Sequence, residues 1–347
     1  MLYRSRIKGL GFYVPENVVT NDDLSKLMDT SDEWIQERTG IQQRRHALRG
    51  SDTTTSMGVK ASLKAIEAAK INKEEIDFIV FATLSPDFYF PGCGVLVQKE
   101  LGLPTIGALD IRNQCSGFIY ALSVADQYIK TGMYKNILVI GAETQSPALD
   151  MSTRGRNMAV LFGDGAGAAI VSRSDDPERG ILSTHLHSQG EHAEQLAMIA
   201  PGVGTKWVPQ ILAENDPDDV SYYPNMNGQF VFKNAVVRFA EVIEEGLKAN
   251  GLSREDINIL IPHQANLRIS QFVQHQFKLT DEQVFNNIMK YGNTTAASVP
   301  IALTEAVQQG KIKDGDLVVL AAFVVVSLGQ VPSFVGSHSV ASNKKSC

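Results

Sequence analysis

The chain has 347 residues, 44% of them hydrophobic, which is enough to bury a sizeable core and long enough for two domains or one large duplicated one. A formal net charge of −6 argues against general nucleic-acid binding, which calls for a basic face, and three cysteines at unrelated spacings support neither a disulfide framework nor a paired-cysteine metal site. The start lacks the apolar run of about 7 to 15 residues that a secretory signal needs, and no stretch of about 18 apolar residues occurs anywhere, so a cytoplasmic protein with neither membrane nor nucleic-acid partners is expected.

Taken in order, the patterns alternate. Residues 53–70, "TTTSMGVKASLKAIEAAK", place Val59, Leu63, Ile66 and Ala69 at helical spacing, and "IDFIVFATL" after them reads as a buried strand. "GALDI" is a short strand, "CSGFIYALSVADQYIKTG" a helix closed by Gly132, and "NILVIGAE" a further strand. The glycine-rich "GDGAGA" leads into "AIVS", which reads as a strand; a dinucleotide site would need a helix there, so a close backbone crossing is expected instead. The acidic "RSDDPERG" and "AENDPDDVSYY" read as solvated surface loops. This is α/β order with apolar strands covered on both faces.

The order then returns. "AIEAAKINKEEIDFIVFAT" is echoed by "GLKANGLSREDINILIPHQ", aligning Ile76 with Ile257 (257 − 76 = 181), and "YKNILVIGAE" by "DGDLVVLAAF", aligning Ile137 with Leu317 (317 − 137 = 180). Two segments agreeing on nearly one offset point to an internally duplicated α/β unit, with halves expected at 1–174 and 175–336 and a mobile polar tail at 337–347. Under this offset Cys115 falls opposite Thr295 in "YGNTTAASVPIALTEAV", so matching helix starts should converge on a shared centre.

A thiol on the first turn of a helix meets unsatisfied N–H groups and the positive end of the macrodipole, which favour thiolate, so Cys115 is a candidate nucleophile with a lowered pKa. A small buried hydrophobe is the plainer role for a free cysteine. Cys93, in a loop, and Cys347, in the tail, have no comparable activation. His263 in "LIPHQANLR" follows a buried strand, at the end of the sheet where open α/β folds bind ligands, and Asn293 sits in a turn before a helix at the equivalent place.

Five stretches, "TSDEWIQERTGIQQRR", "DIRNQCSGFIYAL", "STRGRNMAVLFGDGAGAAIV", "PHQANLR" and "YGNTTAAS", together resemble the β-ketoacyl-[acyl carrier protein] synthase III family, condensing enzymes of the thiolase fold. The resemblance covers almost the whole chain and implies a duplicated fold of layered α/β halves with mixed central sheets. It implies an acyltransferase that condenses an acyl-CoA primer with malonyl-acyl carrier protein through an acyl-cysteine, for fatty acid or related synthesis. By the same resemblance, Cys115 accepts the acyl group while His263 and Asn293 act on the malonyl extender. Trp34, Arg38, Arg154, Asn266 and Phe323 would line the coenzyme A and substrate path, and Phe90 would close the acyl pocket of a dimer partner. Arg268, with Arg44 and Arg45, would form part of a docking patch for an acidic carrier protein. The implied partners are acyl-CoA, malonyl-acyl carrier protein and a second copy of the chain, with no resident cofactor and no metal. The order Cys, His, Asn also occurs in cysteine hydrolases, but a duplicated chain with a late thiol does not suit a papain-like protein.

One segment departs from the family. Relatives carry Phe-Gly-Gly-Gly-Phe-Thr-Trp after the last core strand; here "AAFVVVSLGQVPSF" keeps Phe323 and replaces the glycines by Val324, Val325 and Val326. The backbone N–H of Cys115 and that of Val325 are the expected oxyanion donors, and a β-branched residue is a poor substitute wherever φ is positive. The alternative to a working enzyme is therefore an impaired, acyl-binding subunit, or a relative that uses a non-carrier acceptor. If Val324–Val331 are encoded GTG GTG GTT TCA CTT GGG CAA GTT, the frame two bases on reads Gly-Gly-Phe-Thr-Trp-Ala-Ser. A frameshift is the hypothesis this motivates; sequencing the gene tests it, and codons incompatible with that second frame exclude it.

Overall fold

The computed structural model describes residues 3–174, 176, 179–216 and 218–323, and the backbone of 325–330; Val324 and the 337–347 tail lie outside the described residues. The first half contains β1 (Arg4–Tyr13), β2 (Val18–Thr20), α1 (Asn21–Ser25), α2 (Asp32–Thr39), β3 (Gln43–Arg45), α3 (Thr54–Ala69), β4 (Phe78–Ala82), α4 (Cys93–Leu101), β5 (Gly107–Ile111), α5 (Gly117–Lys130), β6 (Asn136–Glu143), α6 (Arg156–Ala159) and β7 (Gly165–Ser174). The second contains β8 (Gly180–Leu186), β9 (Leu196–Ala197), α7 (Val208–Glu214), β10 (Asn225–Met226), α8 (Gly228–Ala249), β11 (Ile259–Pro262), α9 (Leu267–Phe277), α10 (Ile288–Tyr291), α11 (Ser298–Gln308), β12 (Leu317–Ala322) and β13 (Val325–Gln330).

One sheet has the order β1-β7-β6-β4-β5, with β4 parallel to β5 and β6, and β7 antiparallel to β1 and β6. The other has the order β11-β12-β13-β8, with β11 parallel to β12 and β13 antiparallel to both neighbours. Thus β11, β12, β13 and β8 stand in the second sheet where β4, β6, β7 and β1 stand in the first, and a single parallel bridge from Leu260 to Val284 takes the place of β5. Ile76 lies just before β4 and Ile257 just before β11, which is the alignment the repeat gives.

Both central strands, β6 and β12, are buried throughout, so they need cover on two faces and their sequences read as unbroken apolar runs. The layers run α3 with α4, the first sheet, α5 with α11, the second sheet, and α8 with α9. Because α5 and α11 share the middle layer, the two helix starts lie inside one continuous core.

Helix α3 is where expected, and Ile66 and Ala69 are buried as their spacing predicts, but Leu63 is not. Met57, Ala61 and Ala65 point inward and Leu63 is 52% exposed. The reason is close packing on β1: a Cβ placed on Gly9 would lie 2.3 Å from the Ala65 carbonyl oxygen, so small residues have to face the sheet and the large leucine turns out. Among the described residues no helix is long and apolar enough to cross a membrane.

Candidate active site

After β5 the chain makes one 3-10 turn, Gln114–Ser116, that runs directly into α5, which places Cys115 at a helix start. The second half repeats this with the turn Thr295–Ala297 running into α11, and the two turns pack against each other. Each begins on a non-glycine residue in the left-handed region, Gln114 at φ 42° and Thr295 at φ 49°, a conformation that costs on the order of 1 kcal/mol or more. These strained residues make Gln114 the counterpart of Thr295 (295 − 114 = 181), so the repeat is in register one residue away from the expected pairing and Cys115 faces Ala296. The turns meet because the contact is made of small groups: a Cβ on Gly141 would lie 2.4 Å from the Ala296 carbonyl oxygen.

His263 follows β11, its N–H donating to the Ala321 carbonyl at 2.7 Å, and it is buried. Ser298, first residue of α11, holds its Oγ 2.5 Å from His263 Nδ1 and accepts the Gln264 N–H at 3.4 Å. With the Ser298 hydroxyl donating to Nδ1, the imidazole hydrogen lies on Nε2. Among the described residues Nε2 is buried and has no partner. Burial lowers the imidazole pKa to about 3, so His263 is neutral throughout the physiological range.

Asn293 is pinned by the start of the "GDGAGA" segment. Its N–H donates to the Leu161 carbonyl at 2.8 Å, and its carbonyl accepts the Gly163 N–H at 3.1 Å. Gly165 opens β7 and no helix follows, in line with the close backbone crossing expected there. The Asn293 side-chain oxygen accepts the Thr295 N–H at 2.9 Å, so the amide hydrogens on Nδ2 are the donors left to offer a ligand.

The electrostatics at Cys115 overturn one expectation. Burial first, and the Glu143 carboxylate second, push the thiol up to about 12, whereas a helix start alone would lower it. Desolvation outweighs the macrodipole because the turn lies within the core, although Cys115 keeps part of its surface open. Glu143, the fully buried last residue of β6, accepts hydrogen bonds from Ser85 Oγ at 2.6 Å, Thr83 Oγ1 at 3.1 Å and the Leu84 and Ser85 N–H groups at 3.2 Å. Burial nonetheless raises its pKa to about 7. Below that value Glu143 is neutral; above it the carboxylate opposes thiolate formation. Glu143→Gln should therefore move the pH profile of Cys115 alkylation by iodoacetamide to lower pH, with about a ten-fold faster reaction at pH 8, the scale of one like-charge contact at moderate dielectric. An unchanged profile, or one moved upward, would contradict this.

The residues assigned to coenzyme A by resemblance fall into separate groups. Trp34 and Arg38 lie on α2 with the guanidinium carbon 4.4 Å from the indole centroid, and the Asn266 amide donates to the Arg38 carbonyl at 2.9 Å while capping α9. Arg154 is held elsewhere, by Asp150 at 2.6 Å and Asp218 at 3.2 Å. Phe323 packs on the core of the second half, and Phe90 is 81% exposed beside Tyr89. Arg268 is exposed near the Phe232 ring. Arg44 cannot belong to a docking patch: it is fully buried, donating to Asn21 Oδ1 and the Val160 carbonyl at 2.7 Å each. Val325 opens β13 opposite Ala322 and Leu186, and its side chain lies outside the described residues. Sequence reasoning missed Ser298 and Glu143; the only trace of the latter was a charge ending an otherwise apolar strand.

Paired α/β units with mixed sheets, two helix starts packed together with a cysteine in one of them, and a histidine and an asparagine bonded to the start of the other are the features of a condensing enzyme of the thiolase fold. The chain belongs to the 3-oxoacyl-[acyl-carrier-protein] synthase III family, matching it over residues 109–190 and the family's C-terminal region over residues 247–325. It is 46% identical over 324 residues to the β-ketoacyl-[acyl-carrier-protein] synthase III of Xanthomonas euvesicatoria pv. vesicatoria, covering 92% of this chain and 94% of that one. The crystal structure of 3-oxoacyl-[acyl-carrier-protein] synthase III from Aquifex aeolicus superposes with a TM-score of 0.84 at 43% identity, over 94% of this chain and 99% of that chain. The corresponding enzyme of Pseudomonas aeruginosa gives 0.86 at 33% identity, over 96% and 100%.

Proposed function

We propose that the chain transfers an acyl group from acyl-CoA to Cys115 and then condenses it with malonyl-acyl carrier protein. The observation that supports this is His263 Nε2, buried and without a partner among the described residues, together with the Asn293 amide, whose oxygen is taken by the Thr295 N–H, beside the turn that packs against the one carrying Cys115. The Cys115 sulfur attacks the acyl-CoA carbonyl, the carbon–sulfur bond to coenzyme A breaks, and the thiol proton leaves with the departing sulfur. Exchange of one thioester for another is nearly neutral in energy, and a thiol that rests protonated gives up its proton as the sulfur attacks.

Malonyl thioester then loses CO2, and the electron pair of the broken carbon–carbon bond becomes an enolate whose oxygen accepts from His263 and Asn293. Neutral donors suit this step, since a carboxylate would repel the developing charge. The enolate carbon attacks the Cys115 thioester, with the Cys115 and Val325 N–H groups as the proposed oxyanion donors; the tetrahedral intermediate collapses, the carbon–sulfur bond breaks, and the departing thiolate takes a proton from solvent. Phe90 with its exposed neighbours, and the edge strand β5, suit a two-fold contact with a second copy. Arg268 offers an exposed cation to an acidic carrier protein. The test is product formation: acyl-CoA and malonyl-acyl carrier protein together should give 3-oxoacyl carrier protein, CO2 and free coenzyme A, and failure to form it with the full set of substrates would refute the reading.

Ser298→Ala tests the tautomer argument. Without the hydroxyl hydrogen the imidazole proton can move to Nδ1, so condensation should fall roughly ten- to hundred-fold, the range for partners that orient a histidine, while acylation of Cys115 continues. An equal loss of acylation would show that the serine only supports the fold.

A further inference from the structure

Accepting the proposed pair of oxyanion donors, we infer that Glu245 is a positioning residue for that pair, holding the strand end against which Val325 is registered. The two N–H groups come from different parts of the fold: Cys115 from the turn after β5 in the first sheet, Val325 from β13 in the second. A pair of donors stabilises an oxyanion only while their spacing is held. Val325 is the first residue of β13, and its partner on β8 is Leu186, the last residue of the outermost strand of that sheet. A pair at the end of an edge ladder has no rung beyond it, and such ends open most easily.

The residues on either side of Leu186 supply what the ladder lacks. His185 and His187, two apart in extended chain, project from one face and reach the same carboxylate on α8: Glu245 Oε1 lies 3.1 Å from His185 Nδ1, and Oε2 lies 2.6 Å from His187 Nε2. A carboxylate only accepts, so each imidazole turns an N–H to it. The other nitrogen of His185 is 3.0 Å from Ser183 Oγ, to which the Asn250 amide donates at 2.7 Å, so this ring is engaged at both nitrogens. Helix α5 grips the same stretch: the Tyr120 hydroxyl donates to the His187 carbonyl at 3.3 Å, and Ser123 Oγ lies 2.8 Å from Thr184 Oγ1. Helix α5 is the one whose start carries Cys115. The chain around Leu186 is thus tied to the helix that sets the first donor, and Glu245 closes the tie from α8, fixing where Val325 stands relative to Cys115.

Separate rates for the two half-reactions test this. Glu245→Leu should slow acylation of Cys115 at saturating acetyl-CoA about ten-fold with KM unchanged, a fraction of the roughly 10²- to 10³-fold that losing a whole oxyanion donor costs. Decarboxylation of malonyl-acyl carrier protein without an acyl donor relies on His263 and Asn293 instead, and should keep its wild-type rate. Glu245→Gln should recover most of the acylation rate, since the amide oxygen accepts from one imidazole and the amide N–H groups donate to the other. Tyr120→Phe, which loses only the hydroxyl, should slow acylation in the same selective way, and it decides the matter if the leucine variant does not fold. Equal loss of acylation and decarboxylation would make Glu245 a fold contact only, and an acylation rate unchanged in either variant would overturn the assignment. Wild-type protein that takes no acetyl group onto Cys115 would refute the reading of the site on which this one stands.

Discussion

Cys115→Ala should leave a folded protein that takes up no acyl group and condenses at least about 10³-fold more slowly than the wild type. The expectation follows from geometry more than from reactivity. Two strained turns, one from each half, are held face to face at this residue, and the alternative role of a small buried hydrophobe would not require Gln114 and Thr295 to sit at positive φ. Alanine fits the site at a loss of one sulfur atom, so stability should change little and activity greatly. Labelled acyl-CoA followed by protein precipitation reads the first effect, and thermal unfolding reads the second. Retained turnover in Cys115→Ala would show that another group carries the acyl chain; Cys93, fully buried with its thiol pushed up to about 11, is no substitute.

His263→Ala should separate the two halves of the reaction. Acylation of Cys115 should proceed, because the thioester exchange does not draw on the imidazole, while decarboxylation of the malonyl donor should fall about 10² to 10³-fold, the cost of removing one oxyanion donor. The pH dependence gives a further check on sign. A folded-state pKa of about 3 means that His263 stays neutral as pH falls from 8 to 5, so its role as a donor should not titrate there. Any limb of the condensation profile near pH 7 is instead assigned to Glu143, and it should vanish in Glu143→Gln. Parallel loss of acylation and decarboxylation in His263→Ala would contradict this division of labour.

How much of this was legible depended on whether a feature is written in local pattern or in a tertiary contact. The strands Gly107–Ile111 and Asn136–Glu143 fall where their apolar runs place them, and the duplication was visible because both central strands need the same kind of run. The buried face of α3 was legible only in part: Ile66 and Ala69 are buried, but Leu63 is turned out because a β1 glycine brings the helix too close for leucine. The register of the repeat slipped by one residue because sequence similarity does not mark φ, whereas the paired left-handed residues do.

At the site, Cys115, His263 and Asn293 stood out as chemistry-bearing residues at element ends. Their partners did not: Ser298 reads as an ordinary helix-starting serine and Glu143 as a strand terminus until the fold sets them against His263 and Cys115. The thiol's direction of shift was misjudged for the same reason. A helix start is a local feature, and the burial that overrides it is not.

Intact mass of the wild-type protein after incubation with an acyl-CoA, then after addition of malonyl-acyl carrier protein, tests the central claim most directly. One acyl increment should appear, map to the peptide containing Cys115, and disappear as the carrier acquires the condensed chain. A protein whose mass never changes, or an acyl group that stays on Cys115 when the extender is supplied, would contradict it.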